Sequence, residues 1–302
     1  MDLIKVSCPG CESQQYRFWD HVRLSPTGIA SEFQICEHCS LGFVSPRPSE
    51  DAEKDFYTSE YFERGNLEEW KDARLPFFYQ MIHEIEKRSQ NVQLLDIGCG
   101  AGFFLEVARL KKWTTLGIDL SERAVAYGRE QLHLDLIKGG IQDVSFPAGK
   151  FNVITLWNVL DQVWAPGKDL KQLTTWLASG GWLALRVSNF QFHGWMHQVW
   201  KCLKRWKVIS ESAKEPSIFH LQMFDAKSIR NRLKAHGYET IQISNSHMDS
   251  MNEVLRGWFG KAGSRLLACF MAGVVGLIWI VTLGTVYFSP SMIIFAQKKE
   301  GL

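Results

Sequence analysis

From Gln93 onward the chain alternates two kinds of apolar spacing. Runs of strand length, QLLDIG, TTLGID, DLIKGG, FNVITLW and WLALRVSN, are separated by stretches with helical spacing, FFLEVARLKK, SERAVAYGREQ and DLKQLTTWLASG. Strands alternating with helices predict βαβ units. The expected fold is therefore α/β, a doubly wound parallel sheet with helices on both faces and ligands held at the carboxyl ends of its strands. Ser179 to Gly181 reads as the glycine stop of one helix. DAKSIRNRLKAHGYETIQIS adds a helix, another glycine stop and a strand, and SMIIFAQKK looks like the last strand of the same sheet. Upstream, SPRPSED has the prolines and caps of a linker, and EKDFYTSEYFE and LEEWKDARLPFFYQMIHEIEKR read as helices that could form a lid. No internal repeat is visible.

Composition narrows this little. A formal net charge of +2 over 302 residues gives no broad pull toward nucleic acid, so such binding would need a local patch. The start, MDLIKVSCPG, lacks the cationic and apolar regions of a secretory signal, which places the folded part in the cytoplasm.

The chemistry concentrates in LLDIGCGAGFF. Glycines at alternate positions free backbone to pass close to a ligand, and the helix that follows points free N–H groups at it. A dinucleotide fold wants G-x-G-x-x-G, and Phe103 stands where the third glycine belongs. Instead the glycines fall at Gly98, Gly100 and Gly102 behind Asp96, and a second acid, Asp119, ends the next strand.

This pattern resembles motif I and the following acidic position of class I S-adenosylmethionine-dependent methyltransferases, and the resemblance continues to Asn189. It implies a Rossmann-like methyltransferase sheet. It also implies that Asp96, Gly98, Gly100, Gly102 and Phe103 lie along the methionine part of the cofactor, with Asp119 on the ribose hydroxyls and Leu120 beside the adenine. A vicinal diol offers two donors, which one carboxylate can accept. Gln142 and Asp143 would recognise adenine and Asn158 would lie near the sulfonium. The ubiquinone-type O-methyltransferases carry acidic residues and a histidine after the fourth strand that help hold a metal. Here NVLDQV lacks the histidine, which argues against that metal and a quinone acceptor. His220 in PSIFHLQMF is the candidate base or substrate contact, with a structural histidine as the alternative.

Four of the seven cysteines form two C-x-x-C pairs, Cys8/Cys11 and Cys36/Cys39, while Cys99, Cys202 and Cys269 are scattered. In a reducing compartment such spacing reads as a closed tetrahedral site for structural zinc. His38 is a bystander in this reading, a β-hairpin fills the gap between the pairs, and four unligated thiols are the alternative. The order of parts resembles a bacterial group with an N-terminal zinc-ribbon before a class I domain, a layout shared with sugar C-methyltransferases and glycan-biosynthesis relatives. In that comparison Tyr57 and Tyr61 lie on the lid.

Leu266 to Phe288 runs roughly 23 residues without a charge, about the length that crosses a bilayer. Arg256, Lys261 and Arg265 precede it and Tyr287 stands at its far end. It could dip into one leaflet and return, span once and leave SMIIFAQKK outside the sheet, or pack internally. FHGWMHQVWKCLKRWKVI interleaves Trp195, Trp200 and Trp206 with Lys201, Lys204, Arg205 and Lys207, which suits a lipid headgroup layer, the paving of a substrate pocket or ordinary packing.

The expected organisation is a zinc-ribbon (1–45), linker and lid helices (46–90), the methyltransferase domain (91–255), a hydrophobic membrane-associated insertion (256–288), and the last strand with the tail (289–302). The expected function is methyl transfer at a membrane to a glycan, glycolipid or other lipid-linked acceptor. The alternatives are an RNA methyltransferase whose ribbon grips nucleic acid, and a non-catalytic cofactor-binding module. After the fourth strand NVLDQV lacks the aromatic and the prolines that methylation of base amines calls for, so a nucleic-acid partner is not expected.

Overall fold

The structure, a computed structural model, describes residues 3–59, 67–210, 215, 218–246 and 287–301. The chain opens with β1 (Leu3–Ile4), β2 (Tyr16–Leu24), β3 (Ile29–Cys36), β4 (Gly42–Val44) and β5 (Arg47–Pro48). β2 and β3 form the hairpin between the two cysteine pairs. Next come α1 (Glu50–Ser59) and α2 (Leu67–Glu86), then β6 (Gln93–Ile97), α3 (Phe103–Leu110), β7 (Thr114–Asp119), α4 (Glu122–Gln131), β8 (Leu136–Lys138) and β9 (Phe151–Trp157). The remainder is α5 (Pro166–Trp176), β10 (Leu177–Ser188), α6 (Phe190–Arg205), β11 (Gln222–Met223), α7 (Ala226–Ala235), β12 (Tyr238–Asn245) and β13 (Ser291–Lys298).

The main sheet has seven strands in the order β12-β13-β10-β9-β6-β7-β8. It is mixed, not wholly parallel. β13 runs antiparallel to both β10 and β12, while the β10–β9, β9–β6, β6–β7 and β7–β8 pairs are parallel. Its central strands are apolar at consecutive positions because both faces are covered. Leu94 and Val153 face α2 and α3 beside Phe78, Met81 and Phe104, whereas their neighbours Leu95 and Ile154 face the opposite core with Leu170 and Leu173 of α5.

Three features depart from the sequence expectation. Ser179–Gly181 does not stop a helix: α5 ends at Trp176, and Gly180, at φ +69°, sits in an irregularity of β10 where the pairing with β9 shifts between Leu177 and Trp182. The linker segment is tied down, since β5 pairs with β1 and Arg47 is buried. The N-terminal strands also do not close on themselves. β11, from far downstream, adds to β4 and completes a four-stranded sheet ordered β11-β4-β3-β2.

No helix among the described residues is long and apolar enough to cross a membrane. Leu266 to residue 286, like Tyr61, lies outside those residues. The described residues on either side of 247–286 lie together at one sheet edge, where Ser246 donates to the Ser291 carbonyl at 2.9 Å and Ser289 donates to Asn245 at 3.0 Å. With β13 inside the sheet, the single-crossing arrangement that left SMIIFAQKK outside it is excluded.

Candidate active site

The turn after β6 sets the site. Gly98, Gly100 and Gly102 have φ of +64°, +57° and +84°, a region that side chains disfavour. A Cβ on Gly98 would lie 2.4 Å from Val159, and one on Gly102 would lie 2.6 Å from Leu134. The loop is pinned from the next strand, Gly98 and Cys99 donating their N–H groups to the Ile118 carbonyl at 2.8 and 3.1 Å. Asp119, at the carboxyl end of β7, then accepts from Gly100 N at 2.7 Å and from Ser121 N at 2.8 Å. Burial raises its carboxyl pKa and those two N–H groups draw it back.

A cavity of about 260 Å³ opens at these strand ends. Gly98, Gly100, Phe103, Asp119 and Leu120 line it, and Gln142, Asp143 and Asn158 close the side toward α5 and the end of β9. Eight of the ten expected cofactor residues thus converge on one space. Asp96 and Gly102 stand behind the lining. Asp96 is buried opposite Thr155 in the β6–β9 register, accepts from its hydroxyl at 2.6 Å, and is pushed up to about 8 by burial. Gly102 lets α3 pack on the sheet. His220 is also not among the lining residues. Its Nε2 lies 4.0 Å from the buried Asp161, whose Oδ2 accepts a hydrogen bond from Ser188 N at 3.0 Å.

Of the rest of the lining, the resemblance points only to Tyr57, on the lid. Glu50, Glu53, Lys54 and Tyr57 project into the cavity from α1 at positions i, i+3, i+4 and i+7, one face of a helix. That periodicity was the available signal. Tyr57 donates to Gln162, which donates in turn to the Asn158 carbonyl at 2.5 Å, fastening α1 to the loop after β9. Arg47 anchors the start of α1: it donates to the Trp164 carbonyl at 2.9 Å and stacks on that ring at 3.8 Å.

The four cysteines form a separate centre. Cys8–Cys39 and Cys11–Cys36 sulfurs are 3.5 and 3.6 Å apart, and all four lie within 4.8 Å of one another. A zinc bound to four thiolates at about 2.3 Å has sulfur–sulfur edges of roughly 3.8 Å, so this donor set fits that ion. Each knuckle turns through a left-handed residue directly after its second cysteine, Glu12 at φ 61° and Ser40 at φ 62°. Cys8 and Cys36 are buried with Leu41 and Phe43 in the core that also holds Leu170 and Ile229, so the centre is continuous with the main sheet's packing.

Comparison with known proteins adds a lineage. Residues 62–243, more than half of the chain, match the family described as a methyltransferase domain. The ubiquinone biosynthesis O-methyltransferase of Candida albicans mitochondria is 31% identical over 115 residues, covering 35% of each chain. That of Thiobacillus denitrificans is 29% identical over 127 residues, covering 40% of this chain and 49% of that one. The matched stretch thus spans about half or less of these relatives. Among solved structures, a plantazolicin methyltransferase in complex with SAH superposes with a TM-score of 0.51 at 17% identity, over 83% of this chain and 95% of the other, a likeness of fold.

Proposed function

Because this chain belongs to the methyltransferase-domain family, we propose that it transfers a methyl group from S-adenosylmethionine to a small acceptor. The observation that carries this is the cavity at the ends of β6, β7 and β9, where a side-chain-free loop meets a buried carboxylate with spare lone pairs. The cofactor supplies an electrophilic methyl on a sulfonium. Asp119 holds its ribose, Gly98 and Gly100 give its amino-acid tail a close backbone surface, and Gln142 and Asp143 address the adenine. The chain's contribution to rate is alignment and exclusion of water, for which α1 is the cover. Calorimetry with S-adenosylmethionine is expected to show about one site per chain with micromolar affinity; absence of heat with both donor and demethylated product overturns the assignment.

The acceptor we propose is a glycan, glycolipid or other lipid-linked molecule met at a membrane. Supporting this are the uncharged stretch from Leu266 to Phe288 and the place where it rejoins the fold, since Phe288 packs on Trp195 of α6 with ring centroids 5.3 Å apart. Trp195, Trp206 and Val208 are exposed there beside Lys201, Arg205 and Lys207. Full-length protein should float with phosphatidylglycerol vesicles at low salt. Recovery wholly in the unbound fraction would remove the membrane from the proposal.

A further inference from the structure

The cavity is acidic. Among the described residues, Glu50, Glu53, Asp119, Asp143 and Asp169 line it against two cations, Lys54 and Arg74. Four of those carboxylates already have partners. Glu50 pairs with Lys54 at 3.3 Å, Asp119 holds the two backbone N–H groups, Asp143 accepts from Gly140 N at 2.8 Å, and Asp169 accepts from Gln142 at 2.7 Å. Glu53 differs. It is 8% exposed, and its Oε1 is buried with no hydrogen-bond partner among the described residues. The Arg47 guanidinium, which is not among the lining residues, offsets part of its charge; a buried carboxylate oxygen left without a hydrogen bond on the wall of a binding cavity marks where a ligand can bring a donor or a positive charge.

We propose that Glu53 is the charge-recognising residue of this cavity, making it prefer a net-cationic sulfonium nucleoside to the neutral thioether that remains after transfer. This rests on the assignment of the cavity to S-adenosylmethionine. The two molecules share adenine, ribose and amino-acid tail, so the contacts of Asp119 and the glycine loop cannot separate them. A fixed negative charge in a site of low dielectric can. It also favours departure of the product, because the attraction disappears with the methyl group. Burial pushes the Glu53 carboxyl up to about 7, and the Arg47 charge pulls it down. Glu50, Lys54 and Tyr57 of α1, Arg74 of α2, and Cys99, Asp119, Asp143 and Asp169 across the cavity are the other titratable groups facing it. Among these, Asp169, raised to about 6 by burial, titrates nearby.

The test is calorimetry on the full chain with S-adenosylmethionine, S-adenosylhomocysteine and the amine analogue sinefungin at pH 6 and pH 8. Glu53→Gln is expected to weaken the two cationic ligands about tenfold at pH 8 and the thioether less than threefold. In the wild type the preference for the cationic ligands should grow from pH 6 to pH 8, and in Glu53→Gln it should stay flat, which subtracts Asp169. Glu53→Asp, which keeps the charge, should keep the preference, and this guards against a Gln variant that fails to fold around Arg47. Equal losses for all three ligands, or none, overturn the proposal while leaving the cofactor assignment intact. Failure of every ligand to bind the wild type overturns both.

Discussion

Asp119→Ala should lower affinity for S-adenosylmethionine and for its demethylated product by about a hundredfold or more, equivalent to roughly 3 kcal/mol. Two losses combine. The ribose loses a charged acceptor, and hydrogen bonds to charged groups contribute about 1.5–3 kcal/mol each. Gly100 N and Ser121 N, bonded to this carboxylate at 2.7 and 2.8 Å, also lose the group that sets the loop and the start of α4, so the cradle itself relaxes. Asp119→Asn keeps one acceptor oxygen and should fall between alanine and wild type. Unlike Glu53→Gln, both variants should weaken the cationic and neutral ligands alike, because the ribose is common to them. Titration calorimetry decides the matter, and equal affinity of wild type and Asp119→Ala would sink the assignment of the cavity.

Removing the metal should have the larger effect on the fold. Freshly purified protein is expected to hold about one zinc per chain, and apparent binding energies for such closed sites are on the order of 10–16 kcal/mol, most of it realised as folding free energy. The four sulfurs share a core with Leu41, Phe43, Leu170 and Ile229, so their release opens a face of the main sheet's packing. The damage reaches the cofactor. The strand and arginine that start α1 follow directly on this core, and α1 covers the cavity. A strong chelator, or Cys36→Ser with Cys39→Ser, should therefore depress the thermal midpoint sharply and weaken nucleoside binding together with it. Elemental analysis that finds no zinc in fresh protein would refute the metal.

What could be seen in the chain beforehand was what is local. The glycine turn, its acidic partner one strand later and the two C-x-x-C pairs carry their geometry in a few neighbouring residues, and each is found where the pattern put it. Ser179–Gly181 misled because a glycine after helical spacing and a glycine in a strand irregularity look the same until the pairing of Leu177 with Phe151 is known. The antiparallel β13 was visible as a strand, while its direction was not, since direction depends on a long stretch of intervening chain. Glu53 passed unnoticed because a glutamate in a helix is ordinarily solvated, and what distinguishes this one is burial beside the Arg47 charge. Asp96 was legible in part. Its place in the motif points to the cofactor, and among its packing neighbours in the sheet it also takes a hydrogen bond from Thr155 across the β6–β9 register, which only the strand pairing reveals.

The pairing of β11 with β4 fixes an order of events during synthesis. As the chain leaves the ribosome, both cysteine pairs emerge before any strand of the main sheet. The outer edge of β4 must then wait, unpaired and apolar, while α1 to α6 and the strands between them are made. An open strand edge of that kind invites pairing with other chains. The cysteine module is thus made early and finished late, and a chain cut between β4 and Gln222 would carry the four-cysteine cluster beside an unprotected edge.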